Sequence, residues 1–185
     1  ITHNTAFGFN LLNEELFKDL DVVGCDTYPS SDNYPAFLLN MDTWRNMRKN
    51  TQEVLLLETS TSHVGYIENY VQPHPKGFVT TEVFTGFAGG LKTFSYWHFR
   101  GHAYGVEQNH STVITSWGEP GMGYEEVVSS GELVEKMRPH LKKSELQRAN
   151  IGVVFSDDAK RFFNVETGGI YNYRQVISTF HASLV

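Results

Sequence analysis

Short apolar runs alternate with longer stretches of helical spacing along most of this chain. The runs Asp21 to Pro29, Val54 to Glu58 and Leu91 to Arg100 are rich in apolar residues and end in polar ones, as buried strands do. Between them, Pro35 to Lys49 and Lys76 to Gly90 repeat apolar residues at helical intervals. Because strands that alternate with helices form βαβ units, this pattern predicts a parallel sheet.

The pattern changes after an amphipathic stretch, Tyr124 to Leu141, which predicts a helix up to Pro139. Ala149 to Asp158 then predicts a fresh buried strand, and Tyr171 to Val185 again has helical spacing. We therefore expect one domain and the opening of a second α/β domain, with boundaries at residues 1–146 and 147–185.

Polar side chains follow the three predicted strands of the first domain. Asp26 and Tyr28 end the first strand, Glu58 ends the second, and His98 and Arg100 end the third. In a parallel α/β barrel the C-terminal ends of the strands share one face, where the chemistry takes place. Burying a carboxylate is costly unless it is paired or used, so we expect Glu58 to point into a shared pocket. The alternatives are a surface glutamate at a strand end and, for Asp26 and Tyr28, a simple turn signal.

Composition narrows the classes of function. The 185 residues are 40% hydrophobic and 14% aromatic, with a net charge of −6 and no basic run interleaved with aromatics, so we expect no nucleic-acid partner. No apolar run approaches the ~20 residues of a membrane helix, so we expect no membrane partner. The single Cys25 excludes an internal disulfide and a cysteine-only zinc site within the chain. No phosphate-cradling glycine loop follows a strand, which weighs against a freestanding flavodoxin-like sheet.

One histidine pair has metal-like spacing. His98 and His102 lie four residues apart, but Gly101 and the predicted strand disfavour the helical geometry in which such a pair faces one metal ion. We expect no metal site and no cofactor.

Four segments together resemble the β-galactosidases of glycoside hydrolase family 42. They read DVVGCDTYP, LLLETSTSHVGY, SYWHFR and VEQNHSTVIT. The resemblance implies the C-terminal half of a (β/α)8 TIM barrel followed by the start of a flavodoxin-like α/β domain. It also implies a retaining glycoside hydrolase that cleaves terminal β-D-galactosides through a covalent glycosyl-enzyme intermediate.

The same resemblance implies roles for individual residues. Glu58 matches the catalytic nucleophile, whereas Tyr66 stands where the family usually has tryptophan and His98 where it commonly has glutamine. These two departures keep a β-glucosidase, arabinosidase or mannosidase of the same barrel clan open as an alternative. The expected sugar-binding residues are Asp26, Tyr28, Tyr66, His98, Arg100, Glu107 and His110.

The resemblance also implies a part that this chain lacks. The acid/base glutamate of the family lies on an earlier barrel strand, upstream of Ile1, so we expect the chain to be inactive alone. The family pattern further implies a homotrimer of the full-length protein, and we expect a cytoplasmic location. A non-catalytic carbohydrate-binding module is the alternative from a different class of function.

Overall fold

The structure is a computed structural model that describes residues 1–48, 52–66, 69–70, 72–147 and 149–185, the side chains of residues 66, 69 and 70 excepted. In this part of the chain the strands are β1 (Val23–Asp26), β2 (Val54–Glu58), β3 (Gly65–Tyr66), β4 (Asn69–Tyr70) and β5 (Leu91–Phe94). The helices are α1 (Asn13–Phe17), α2 (Tyr34–Arg45), α3 (Phe78–Ala88), α4 (Tyr124–Leu141), α5 (Asp157–Glu166) and α6 (Tyr173–His181).

Strands β1, β2 and β5 form a parallel sheet in the order β1-β2-β5, as the alternating pattern predicts. Helix α2 connects β1 to β2, and α3 connects β2 to β5, so the chain forms successive βαβ units. Asp26 lies opposite Glu58 in the β1–β2 register, which brings the polar ends of both strands to one edge.

The core fills the space between this sheet and helix α2. Its largest fully buried side chains include Trp44, Phe37 and Met41 of α2 and Leu56 of β2. Phe7 packs edge-on against Trp44, with ring centroids 5.6 Å apart. Because these side chains exclude water from one side of the sheet, they hold the strand ends in fixed relative positions.

The first residues of the chain run beside β1 and extend the sheet edge. Asp21 N donates to Ile1 O at 2.9 Å, and Asp26 N donates to Thr5 O at 2.8 Å. A Cβ at Gly24 would lie 2.9 Å from His3 O and 2.6 Å from Thr2 Oγ1, so only glycine permits this approach. The contact delivers Asn4 to the end of the sheet.

The structure corrects the predicted end of one helix and the prediction of one strand. Helix α4 continues past Pro139 to Leu141, because proline removes a single backbone donor and Lys142 N still donates to Arg138 O at 3.0 Å. The strand predicted from Ala149 to Asp158 is absent from the described residues. Ile151 and Val154 are exposed there, no strand pairs with the segment, and helix α5 begins at Asp157.

Helices α5 and α6 pack against the first segment of the chain and against helix α2. Both carboxylate oxygens of the buried Asp157 accept from Asn13, from its backbone N at 2.8 Å and from Nδ2 at 3.0 Å. Lys160 Nζ, also buried, donates to Phe9 O at 2.8 Å and lies 3.5 Å from Asp157 Oδ1. At α6, His181 Nε2 lies 2.7 Å from Asp42 Oδ2. None of the described helices combines the length and the apolar character needed to cross a membrane.

Candidate active site

The carboxylate of Glu58 is fixed at the C-terminal end of β2 by two donors. Asn4 Nδ2 donates to Oε1 at 2.7 Å, and the hydroxyl of Tyr28 donates to Oε2 at 2.9 Å. Asn4 arrives from the segment beside β1, and Tyr28 follows β1 itself. Each oxygen therefore has one partner, and the carboxylate has one preferred orientation.

Asp26 lies beside Glu58, and the two carboxyl groups interact electrostatically. Burial and the Glu58 carboxylate raise the pKa of Asp26 to about 6. Its predicted place at the strand end is confirmed, and the two acidic groups form an electrostatically linked pair at one edge of the sheet.

The polar run after β2 is buried rather than looped into solvent. Thr59, Ser60 and Thr61 have essentially no exposed surface. Thr59 N donates to Ser95 O at 3.1 Å, Ser60 Oγ lies 2.7 Å from His74 Nε2, and Thr61 N donates to Ser111 Oγ at 2.9 Å. These bonds anchor the run to the loops of Ser95, His74 and Ser111, whereas the buried Thr61 hydroxyl has no hydrogen-bond partner among the described residues.

A buried glutamate, Glu82, contacts this run. Glu82 of α3 is 3% exposed, and its Oε1 accepts from Thr59 Oγ1 at 2.7 Å. Burial raises the pKa of Glu82 to about 8, so the side chain is mostly protonated at neutral pH. The helical pattern places Glu82 within α3 but gives no sign that it is buried.

Tyr28 connects Glu58 to a group of histidines. The ring of Tyr28 packs edge-on against His110, with centroids 5.5 Å apart, and His110 lies 5.2 Å from the ring of His98. Burial lowers the pKa of both His98 and His110, so both imidazoles are neutral near pH 7. His98 Nε2 lies 3.5 Å from Glu107 Oε2.

The structure thus brings together most of the predicted site residues. Arg100 is not among them, because its side chain is exposed and donates to Ser116 O at 2.9 Å. Asn4, which the sequence pattern does not predict, is a donor to Glu58. Tyr66 lies opposite Asn69 in the antiparallel pair β3–β4, and its side chain lies outside the described part of the structure. The predicted site residues that these contacts link in one chain of neighbours are Asp26, Tyr28, Glu58, His98, Glu107 and His110.

Asn40 links this edge of the sheet to the C-terminal helices. Its Nδ2 donates to Thr27 Oγ1 at 2.5 Å, and its Oδ1 accepts from an Arg174 guanidinium nitrogen at 3.0 Å. Arg174 also lies over the ring of Phe7, at 5.0 Å from the centroid. The residue before Tyr28 is therefore tied through one amide to α6.

Glycoside hydrolases typically have carboxylates at the strand ends of a parallel sheet, with rings and polar groups nearby that can contact a sugar. This chain has the same arrangement and falls into that class. Its residues 1–137 match the family described as Beta-galactosidase, glycoside hydrolase family 42. The chain belongs to that family.

Two curated proteins that are similar to the chain are also named β-galactosidases. The chain is similar to Beta-galactosidase YesZ of Bacillus licheniformis, with 37% identity over 185 residues, and to Beta-galactosidase YesZ of Bacillus subtilis, with 34% identity. Each match covers 100% of this chain and 28% of the relative. The chain therefore spans just over a quarter of the length of the curated relatives that it matches.

Solved structures support the fold. The β-galactosidase from Bacillus circulans sp. alkalophilus superposes with a TM-score of 0.84 at 21% identity, over 99% of this chain and 27% of that chain. The cold-adapted β-galactosidase from Rahnella sp. R3 gives a TM-score of 0.83 at 18% identity, over 97% and 28% of the two chains. At these identities the likeness establishes the arrangement of the elements alone.

Proposed function

We propose that the full-length protein is a retaining β-galactosidase in which Glu58 is the catalytic nucleophile. The observation that carries the proposal is the carboxylate of Glu58, held at the end of β2 by Asn4 and Tyr28. Family membership supports the same assignment.

The reaction needs a fixed, ionised carboxylate opposite the anomeric carbon of a bound galactoside. Glu58 attacks that carbon, the bond to the aglycone oxygen breaks, and an acid delivers a proton to the departing oxygen. Water then displaces Glu58 from the covalent glycosyl-enzyme with the help of the same residue acting as a base. Asn4 and Tyr28 hold the two oxygens of the Glu58 carboxylate in place for this attack.

The second carboxyl group belongs to a part of the protein beyond this chain. Retaining enzymes place the two carboxyl groups about 5–5.5 Å apart. In the family pattern the acid/base glutamate follows an asparagine on an earlier strand, and the sheet β1-β2-β5 is then the last part of a (β/α)8 barrel. Helices α5 and α6 open a flavodoxin-like domain through which the full-length protein forms a homotrimer.

In this proposal the side chains around Tyr28 contact the sugar. Glu107 and His110 hold hydroxyl groups of the galactose, and His98 and Asp26 contribute further polar contacts. Tyr66 is assigned to the sugar-binding set by its place in the family pattern alone. The exposed Arg100 lies at the rim.

A covalent trap tests the role of Glu58. The full-length protein treated with a 2-fluoro galactosyl reagent should carry one label on the peptide that contains Glu58, located by mass spectrometry. Glu58→Gln should remove both the label and the hydrolysis of an aryl β-galactoside. The matched control Glu53→Gln changes an exposed glutamate just before the same strand and should keep both.

Two results would contradict the proposal. A label on another carboxylate would move the nucleophile elsewhere. The absence of label and turnover with a panel of galactoside, glucoside, arabinoside and mannoside reagents would indicate a carbohydrate-binding module.

A further inference from the structure

The side chains of two histidines and one glutamate lie close together near the candidate active site. His98, His102 and Glu107 each offer a ligand atom, and these atoms all lie within 4.8 Å of one another. The rings of His98 and His102 have centroids 4.1 Å apart, and His98 Nε2 lies 3.5 Å from Glu107 Oε2. Two donors on a tetrahedral zinc ion are separated by about 3.3 Å, given metal–ligand distances near 2.0–2.1 Å. The spacing is therefore close to that of a metal site.

The buried member of the group, His98, has ring neighbours and lies 3.5 Å from Glu107 Oε2, but its two ring nitrogens make no hydrogen bond among the described residues. The residue is 3% exposed. Its backbone is fixed by bonds to Ser111 O at 3.1 Å and from Val113 N at 2.9 Å, so the ring is held beside Glu107. Buried polar atoms normally have partners, and a bound cation would supply one here.

We propose that His98, His102 and Glu107 form a binding site for a divalent transition metal of the zinc type. Two imidazole nitrogens and one carboxylate oxygen are a known three-ligand set for zinc, which leaves a fourth position open to water. Magnesium and calcium prefer oxygen ligands and do not suit two imidazoles. His102 is exposed, so the ion has access from solvent and His102 can adjust its ring to the metal.

The position of the site makes the metal an inhibitor, a consequence that rests on the proposed function. Glu107 is the residue expected to hold a sugar hydroxyl, and a metal-bound carboxylate is no longer available for that contact. Zinc and the galactoside therefore compete for Glu107, and zinc raises KM while kcat is unchanged.

Calorimetric titration of the full-length protein with zinc chloride, after removal of metals with a chelator, tests the site. Wild type should bind one zinc equivalent more than His102→Ala, or bind it at least about tenfold more tightly, since even outer-shell changes cost ~10–100-fold in metal affinity. His140→Ala removes an exposed histidine from α4 and should match wild type. His98→Gln should lose the same zinc equivalent, and magnesium chloride should give no His102-dependent heat.

Kinetics supply the second readout. Without zinc, His102→Ala should hydrolyse an aryl β-galactoside at the wild-type rate, because His102 has no assigned substrate contact. With zinc, wild type and His140→Ala should show competitive inhibition that is weakened at least about tenfold in His102→Ala.

Equal zinc titrations for wild type and His102→Ala would overturn the metal site, whatever the activity. Zinc binding that depends on His102 in a protein that hydrolyses no glycoside would sustain the metal site while refuting the proposed function. Binding without competition would overturn the inhibitory role.

Discussion

At the scale of single residues, the orientation of Glu58 depends on neighbours from separate segments. Asn4 lies on the first few residues, and Tyr28 lies just beyond β1. The sequence pattern predicts Tyr28 as a site residue, because Tyr28 follows a recognisable strand. The same pattern gives no indication that Asn4 contacts Glu58. The segment that carries Asn4 has no periodic apolar residues, and long-range hydrogen bonds to residues 21–26 and to Asn13 place it.

Removing one donor from Glu58 should slow catalysis without unfolding the protein. In Tyr28→Phe the hydrogen bond to Oε2 is lost, and a bond to a charged group contributes ~1.5–3 kcal/mol. We expect kcat/KM for an aryl β-galactoside to fall about 10- to 100-fold in the full-length enzyme. The matched control is Tyr34→Phe, which loses a surface bond to Thr85 Oγ1. Equal rates for the two variants would show that the Tyr28 hydroxyl has no part in the reaction.

Glu82 should make stability depend on pH. Folding raises the pKa of this side chain from 4.5 to about 8, so the folded state holds the proton more tightly. The unfolding free energy therefore decreases as pH rises from about 4.5 to about 8, by on the order of a few kcal/mol.

The variant Glu82→Gln keeps an oxygen acceptor for Thr59 and cannot ionise. Its thermal midpoint should be close to that of wild type at pH 5 and above it at pH 9. Glu132→Gln, on the exposed face of α4, should follow wild type at both values. A midpoint profile of Glu82→Gln parallel to that of wild type would argue against a buried, protonated Glu82.

At the scale of elements, predictions held where apolar residues repeat with a regular period and have a packing partner. Strands β1 and β2 and helices α2 and α3 follow their patterns within a few residues. The apolar run from Ala149 failed as a strand because strand formation needs a neighbouring strand, which a local pattern cannot report. The predicted third strand reaches Arg100, whereas β5 ends at Phe94 and the chain then turns to place His98 beside the loop of Ser111.

Helix α5 shows which polar residues carry structure. Ser156, rather than either aspartate after it, caps the helix by accepting from Ala159 N at 3.1 Å. Asp157 turns inward to Asn13, while Asp158 remains exposed. The two adjacent aspartates therefore have different environments and different roles.

Neutralising the inward aspartate should loosen the docking of α5. Asp157→Asn leaves an amide group facing the donors of Asn13 and removes the charge beside Lys160. We expect the unfolding free energy of the full-length protein to fall by about 3 kcal/mol, as for other broken buried pairs. Asp158→Asn is the adjacent exposed control and should change it by less than about 0.5 kcal/mol. Chemical denaturation curves of the two variants provide the measurement, and coincident curves would refute a structural role for Asp157.

At the scale of the whole molecule, this chain holds one half of the proposed chemistry. It covers 28% of the relatives that it matches, and the acid/base residue is expected outside it. Residues 1–185 expressed alone should hydrolyse an aryl β-galactoside no faster than their Glu58→Gln variant, because one carboxyl group cannot serve as both nucleophile and acid. Circular dichroism identifies folded material for the comparison. Turnover that disappears on Glu58→Gln would place the acid within this chain.

Asn40 makes three distant positions interdependent. The amide of Asn40 contacts Thr27 with its nitrogen and Arg174 with its oxygen. A replacement at position 40 keeps both contacts only if it offers a donor and an acceptor at the same distances. Positions 27, 40 and 174 should consequently covary among homologous sequences. A library that randomises the three together should recover rare compatible triplets that stepwise mutation would never reach.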